Sequence, residues 1–240
     1  MTSFTTFLRR ARRSMHQVLG QDLRTPLQTR CASEFLGSEY GGWNVCPTNL
    51  SASSTVYSVG VGQDISFDLA LISRFNLAVH AFDPTPKSIQ WVKSQTLPPN
   101  FIMHEYGLAE YDGVAHFTLP RADFVSFSMV DHQGPRDASG SSIEIDAPVF
   151  RLSTILDKLN HDHIDLLKMD IEGAELAVIR DLPNLKIPIR QLLIEFHHRI
   201  GNRADLAAVR EALATLNSLG FRLFAVSPVG KEFSFIHQTK

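Results

Sequence analysis

The 240-residue sequence has two cysteines, no long apolar run and little net charge. Cys31 and Cys46 match neither a C-x-x-C motif nor a zinc-ligand spacing, which excludes the usual redox and zinc motifs. A disulfide between them stays open, although the sequence offers no support for it. No stretch reaches the roughly 18 uninterrupted apolar residues of a transmembrane helix, and the first residues lack the apolar run of a secretory signal. We therefore expect a reducing, cytoplasmic compartment.

The net charge of −2 conceals an asymmetry along the chain. Residues 1–30 hold six arginines against Asp22 alone, whereas the remainder is mildly acidic, which argues against a nucleic-acid partner because phosphate backbones require many cations. Residues 4–18 place apolar side chains among these arginines. They are either an amphipathic helix that makes weak peripheral contact with a membrane or contacts acidic partners, or a solvated extension that packs loosely on the domain. The apolar members are Phe4, Phe7, Leu8, Met15 and Val18.

From about residue 55, short β-rich apolar runs alternate with helical patterns, which is typical of a parallel sheet flanked by helices. Strands are predicted at 55–59, 78–82, 101–104, 164–170, 189–196, 221–226 and 232–236, the last two as an antiparallel pair. Asp112-Gly113 is a hairpin signal, so 107–119 is expected to fold back on itself. The expected fold is α/β, a mostly parallel seven-stranded sheet with helices on both faces over 51–240, after a basic extension and candidate lid over 1–50.

Candidate ligand-binding residues lie where predicted strands end, the edge at which open parallel sheets bind ligands. The first strand runs into Gly60-Val61-Gly62, a turn that lets backbone approach a ligand closely. The second strand ends at Asp83, where a carboxylate can bind the ribose hydroxyls of an adenosine. Ile65 occupies the third glycine position of a pyrophosphate-binding G-x-G-x-x-G motif, which weakens a dinucleotide interpretation.

Acidic residues and histidines gather at the ends of the next two strands. Asp170 opens an acidic run through Glu172 and Glu175, the latter two being also explained as a helix start. Strand alternation puts Glu195 and His197 on one face. Asp170, Glu195 and His197 are the candidate catalytic residues, as a general base and its orienting partners. The same residue types could hold a divalent metal, although none is predicted.

Four stretches resemble the FkbM-type methyltransferases: VYSVGVGQDISFD at 56–68, VHAFDPTP at 79–86, MDIEGAE at 169–175 and LIEFHH at 193–198. The resemblance extends over roughly residues 35–237. It implies a class I, Rossmann-like methyltransferase fold with S-adenosylmethionine as cofactor. The implied reaction transfers a methyl group, often to a hydroxyl, and the expected acceptor is a small molecule or glycan.

By position, the resemblance implies that Gly60 and Gly62 lie under the methionine part of the cofactor and that Asp83 holds its ribose. Leu108 would border the adenine, and Asp170 would lie beside both cofactor and acceptor. The base would be Asp170 or His197, with Glu195 orienting its partner. The sequence departs from the family pattern at Ser58, where an acid is usual, and at Gly62, where asparagine is usual; Asp64 or Asp170 are the candidates to compensate.

Two other functions remain open at this point. A nicotinamide-dependent, NAD(P)-binding oxidoreductase also uses a glycine turn and an acid after the second strand, and a non-catalytic Rossmann-like binding domain would keep the fold without turnover. Residues 37–43 are either a lid over the site or an aromatic patch packed on the sheet edge. Acceptor specificity is expected in the irregular stretch 123–142. Nothing in the sequence indicates the oligomeric state.

Overall fold

The computed structural model describes residues 4–119, 143–197 and 206–238, and within these ranges the chain forms six helices and twelve strands. The helices are α1 (Phe4–Val18), α2 (Ser66–Phe75), α3 (Pro86–Lys93), α4 (Leu152–Leu159), α5 (Glu175–Asp181) and α6 (Leu206–Ser218). The strands are β1 (Glu34–Leu36), β2 (Trp43–Val45), β3 (Thr55–Val59), β4 (Ala78–Phe82), β5 (Phe101–His104), β6 (Gly107–Leu108), β7 (Gly113–Leu119), β8 (Ile143–Phe150), β9 (Ile164–Met169), β10 (Ile189–Glu195), β11 (Phe221–Val226) and β12 (Glu232–His237).

A mostly parallel sheet forms the centre of the molecule, in the strand order β5-β4-β3-β9-β10-β12-β11. Within this described sheet β12 runs in the direction opposite to the other six strands, so it is antiparallel to both β10 and β11. In register, Val59 pairs with Phe82 on one side and with Met169 on the other, and Met169 pairs with Ile194. The carboxyl ends of β3, β4, β9 and β10 therefore meet at one edge. The mixed α/β fold with a large, mostly parallel sheet is confirmed.

The central strands are buried on both faces, as parallel strands covered by helices must be. Every residue of β9 is buried. Neighbouring residues alternate between two hydrophobic clusters: Val56 and Leu166 pack in one, whereas Tyr57 and Leu167 pack in the other. This two-sided core holds the strand ends in fixed positions. No helix within the described ranges is long and apolar enough to cross a membrane.

The chain reverses direction over 107–119, as expected, but its two arms do not pair with each other, so the expectation of a hairpin there is wrong. Both β6 and β7 pair instead with β8, which forms a separate three-stranded sheet between them. β8 is long enough to pair with the whole of β7, with Gly113 opposite Val149 at one end and Leu119 opposite Ile143 at the other. The Asp112 carboxylate accepts hydrogen bonds from the Arg151 backbone and the Thr154 hydroxyl, which ties the turn to α4.

A disulfide joins Cys31 to Cys46, which the sequence alone did not indicate. Cys46 is held further by Gln191 on β10, whose side chain accepts from the Cys46 backbone nitrogen at 2.9 Å and donates to its oxygen at 2.8 Å. The prediction of a reducing compartment rested on the two cysteines being free, and the disulfide removes that basis. The cytoplasmic location is left as an untested prediction.

Residues before position 51 take part in the main core. β1 and β2 form an antiparallel hairpin, and Trp43, Val45 and Leu50 are buried in the same cluster as Val56. These residues pack with the core that begins after them, and the division predicted at residue 50 stays a prediction. Of the other sequence-based expectations, the specificity stretch 123–142 and His198 lie outside the described residues.

Candidate functional site

A cavity of about 1180 Å³ opens at the carboxyl edge of the central sheet. This volume is large for a single small ligand and leaves room for a cofactor together with an acceptor. All seven residues predicted from the sequence as site residues line it, namely Gly60, Gly62, Asp83, Leu108, Asp170, Glu195 and His197. The structure therefore brings the predicted residues together, while the role of each stays a prediction.

Gly60 lies where the ends of β3 and β9 touch. A Cβ atom at this position would lie 1.7 Å from the backbone oxygen of Asp170, and the φ angle of Gly60 is +82°. The adjacent backbone is paired, with Gly60 donating to Phe82 and Asp170 donating to Val59 at 2.9 and 3.0 Å. Contact between two strand ends thus requires glycine here, whether or not a ligand approaches.

Asp83 holds the glycine turn against the end of β4. One carboxylate oxygen accepts from the backbone nitrogens of Val61 and Gly62, each at 3.0 Å. The other accepts from the Thr85 nitrogen at 2.9 Å and the Thr85 hydroxyl at 2.6 Å. Asp83 is buried, and these four donors occupy the lone pairs that ribose hydroxyls would use. A structural role for Asp83 therefore stands beside the predicted ribose contact.

The apolar wall of the cavity includes Leu108 on β6, which is buried in the core cluster that also contains Val59 and Phe82. By contrast, a Cβ atom on Gly62 would meet no atom within 4 Å, so the cavity is open beside this glycine. Leu108 and Gly62 together offer an apolar surface and free space, which is the combination that an adenosine-like group needs.

Lys168 is a buried cation beneath the glycine turn that was not singled out in the sequence. Its ammonium group donates to the backbone oxygen of Gly60 and lies 3.8 Å from an Asp170 carboxylate oxygen. The position of Lys168 inside a buried strand was the available signal, because a charged residue there requires partners. Asp170 itself is partly exposed to the cavity, its side chain being 30% accessible.

His197 is surrounded by four carboxylates. Its Nδ1 lies 2.7 Å from Glu175 Oε1, while Nε2 lies 3.2 Å from Glu172, 3.6 Å from Glu195 and 3.7 Å from Asp170. Glu175 is fully buried and also accepts from the backbone nitrogens of the turn before α5. We call these five residues the carboxylate–histidine cluster.

The cluster shifts the charge state of its members. Burial alone would lower the pKa of His197, but the Glu175 hydrogen bond and the charges of Glu175, Glu172 and Asp170 raise it to about 9. Burial, and then the Asp170 charge, raise the pKa of Glu195 to about 7, against the lowering effect of His197. His197 is therefore an imidazolium at neutral pH, which disfavours it as a base.

A family model described as the methyltransferase FkbM domain matches residues 43–223. The chain belongs to the FkbM methyltransferase family. The human protein named probable methyltransferase-like protein 24 is 28% identical over 178 residues, covering 70% of this chain. The chain spans 41% of the length of that relative. No solved structure matches this chain significantly. The family resemblance seen in the sequence is confirmed.

In this FkbM domain, three residues of the cluster could bring ligand atoms close enough for a metal ion. Asp170, Glu172 and His197 each offer an atom within 4.8 Å of the others. A metal-binding imidazole must be neutral, however, and the raised pKa of His197 means that Nε2 carries a proton at neutral pH. The sequence-based expectation that the site holds no metal stays a prediction.

Glu172 and Glu175 were assigned from the sequence to a helix start, and the structure gives them contacts with His197. Glu172 has a φ of +49°, which is unusual for a residue with a side chain, and Glu175 precedes the rest of α5. The sequence does not show how near Glu172 and Glu175 lie to His197, because pairing of β9 with β10 brings the segments that hold them together.

Ser58, where the FkbM pattern usually has an acid, is buried. The two acids considered as compensation lie elsewhere: Asp64 accepts from Ser66 and Ser38, and Asp170 lies near Lys168 and His197. Burial raises the pKa of Asp64, but those hydrogen bonds lower it overall. No direct replacement for the missing acid was identified among these candidates.

The segment 37–43 has one buried and one exposed aromatic residue. Trp43 is buried in the core, as an aromatic patch would be, whereas Tyr40 is 92% exposed beside the cavity. Ser38 anchors the segment, since its hydroxyl lies 2.7 Å from Asp64 and its backbone nitrogen donates to Ser66 at 2.7 Å. A lid function for this segment stays a prediction.

Proposed function

We propose that this chain is an S-adenosylmethionine-dependent methyltransferase of the class I type that methylates a hydroxyl group on a small molecule or glycan. The proposal rests on family membership and on one observation, the acidic character of the cavity that contains the glycine turn. When bound, the cofactor supplies an electrophilic methyl group on a positively charged sulfonium.

The charge of the cavity favours a cationic cofactor over a dinucleotide. Seven acidic residues line it against three lysines or arginines and His197. A pyrophosphate would be repelled there, whereas a sulfonium would be attracted, which counts against the nicotinamide-dependent alternative. The acidic residues are Glu39, Asp64, Asp83, Asp170, Glu172, Glu195 and Glu232, and the basic ones are Arg9, Lys168 and Lys231.

Methyl transfer to a hydroxyl also requires loss of the acceptor proton. We assign this step to the carboxylate pair Asp170 and Glu195, whose oxygens lie 3.7 and 3.6 Å from His197 Nε2. The two carboxylates interact, so the proton belongs to the pair. The imidazolium of His197 holds them in position. This assignment replaces His197 as a candidate base, and it changes Glu195 from an orienting residue to a member of the pair.

Calorimetric titration with S-adenosylmethionine tests the proposal. The wild-type protein is expected to bind it, and NADH or NADPH is expected to give no heat. Asp170→Asn keeps the shape of the site but removes one negative charge, so binding is expected to weaken several-fold. Asp146→Asn, an exposed residue outside the cavity, is the matched control and should bind as the wild type does.

Asp83→Ala is expected to abolish cofactor binding, but it also removes four hydrogen bonds from the glycine turn. Thermal unfolding of this variant is therefore needed beside the titration. Absence of binding by the wild-type protein would contradict the proposal, and binding of NADPH in its place would favour an oxidoreductase. Binding without turnover of any hydroxylated acceptor in a labelled-methyl assay would favour a non-catalytic domain.

A further inference from the structure

The amphipathic helix α1 turns its apolar face to solvent, whereas a helix that packs on a protein core turns that face inward. Its apolar residues recur at spacings of three and four, which places them on one face. That face points to solvent, with Val18 87% and Phe7 64% exposed. The other exposed members of the face are Leu8, Ala11 and Met15, and Leu19 continues it beyond the helix end.

The polar face of α1 makes the contacts with the rest of the protein. Arg13 is largely buried, donates to the Ser227 backbone oxygen at 3.2 Å and lies 3.6 Å from the buried Asp22. Gln17 donates to the Leu23 backbone oxygen at 2.9 Å. Polar contacts therefore fix the helix with its apolar side outward from the described residues, and an exposed apolar face of this kind marks an interaction site.

The charge of α1 identifies the chemistry of that environment. Within Phe4–Val18 there are four arginines and no acidic residue, and Arg12 lies exposed beside the apolar face. A second copy of α1 packed against this face would bring arginines of both copies together without acids from either helix. An anionic lipid surface would accept the apolar side chains and pair with the exposed Arg12.

We propose that α1 docks the protein on an anionic lipid bilayer, lying in the interface with its apolar face toward the acyl chains. Arg9, on the same helix, lines the cavity and lies 3.3 Å from Glu39. Docking through α1 brings Arg9 at the cavity to within one helix diameter, ~10 Å, of the bilayer. This inference is independent of the reaction catalysed, because it concerns only the surface to which the protein binds.

Flotation of the full chain with vesicles tests the proposal. Vesicles of phosphatidylcholine containing about 30% phosphatidylserine are expected to bind the protein, and salt at about 0.5 M should weaken the binding. Val18→Ser with Leu19→Ser should reduce binding about tenfold or more, because it removes apolar area from the interface. Ile102→Ser with Val114→Ser removes exposed apolar side chains elsewhere and serves as the matched control.

Arg12→Glu gives a second, independent variant, which should weaken binding to anionic vesicles with little effect on the circular dichroism of the protein. Equal vesicle binding by the wild type and the Val18/Leu19 variant would overturn the proposal. So would failure of the wild type to bind anionic vesicles. Light scattering that shows a wild-type dimer, converted to a monomer by the Val18/Leu19 change and indifferent to lipid, would identify a second copy as the occupant.

Discussion

Two histidine clusters on the same sheet have opposite charge states. His197 lies among four carboxylates, which raise its pKa to about 9. His80, in the middle of β4, lies 3.0 Å from His104 and beside the ring of Tyr57. Burial, followed by the neighbouring His104 and His161, lowers the pKa of His80 to about 4. Both histidines are substantially buried, so burial alone does not decide the outcome.

The two histidines differ in charge state because different groups contact them. Nδ1 of His197 contacts a buried carboxylate, whereas the partners of the His80 group are rings and a phenol: His104 is stacked on His80, and the Tyr57 hydroxyl lies 2.8 Å from His161. A positive charge is compensated in the first cluster and repelled in the second. Only the first cluster therefore provides charged groups for chemistry, while the second acts as a neutral part of the core.

Removal of the two imidazoles gives the largest expected effect. His197→Leu leaves Glu175 buried without its cation, so the free energy of unfolding at pH 7 should fall by about 3–5 kcal/mol. His80→Leu removes a neutral hydrogen bond and should cost about 1 kcal/mol. Urea denaturation of both variants measures the difference. Equal losses would show that the clusters do not differ in charge.

The pH dependence of the His197→Leu effect provides the control. The folded pKa of His197 is raised above its ordinary value, so its contribution to stability is fully present below pH about 6.5 and is lost as the pH rises through about 9. The gap in stability between the wild type and the variant should therefore narrow from pH 6 to pH 10. A gap that widens over this range contradicts the imidazolium assignment.

The second-largest effect concerns the carboxylate pair and rests on the proposed methyltransferase activity. Glu195→Gln should reduce turnover roughly a hundredfold, because general bases contribute at least this factor. Wild-type turnover should rise with pH through about 7, as the carboxylate pair loses its proton, and the variant should lack this rise. The relevant neighbours of Glu195 are Asp170, His197, Glu232 and Lys231. A pH profile shared by both proteins would remove Glu195 from the reaction.

Much of the site followed from the sequence because parallel strands end at a common edge. Gly60, Asp83 and Asp170 each follow a strand of the central sheet, and Glu195 is the last residue of one. A residue at that edge needs only a correct strand assignment to be found. The alternation of short apolar runs and helical patterns was sufficient for that purpose, since β9 and its neighbours are long and buried.

The remainder depended on contacts between distant segments. The number of carboxylates around His197 could not be predicted, because Glu172 and Glu175 reach it through a turn with an unusual backbone conformation. The same holds for the Cys31–Cys46 disulfide, which requires the hairpin of β1 and β2 to bring the two ends together. Strand pairing also decided the place of β7, whose turn residues alone indicated a hairpin with β6.

A smaller effect is expected when the pH is lowered. The folded pKa of His80 lies below its ordinary value, so the unfolded chain takes up a proton first, and stability is lost as the pH falls from about 6.5 to about 4. His80 is only about half buried, and solvent screening limits this contribution to about 1 kcal/mol. His80→Leu should lose less stability than the wild type over this range in urea denaturation. An identical acid dependence contradicts a neutral His80.

The smallest expected effect is that of removing divalent metal. Because Nε2 of the His197 imidazolium faces Asp170 and Glu172, its proton would have to leave before His197 could join these carboxylates as a metal ligand. Chelation with EDTA should therefore leave cofactor binding and thermal unfolding unchanged, and added Mg²⁺ or Mn²⁺ should not restore or raise turnover. Buffer treated with a chelating resin is the control for residual divalent metal. If EDTA lowers the unfolding temperature and the loss disappears in His197→Leu, then His197 is a neutral ligand. In that case His197 and His80 share one charge state, and the contrast between the two clusters arises from an ion and not from carboxylates alone.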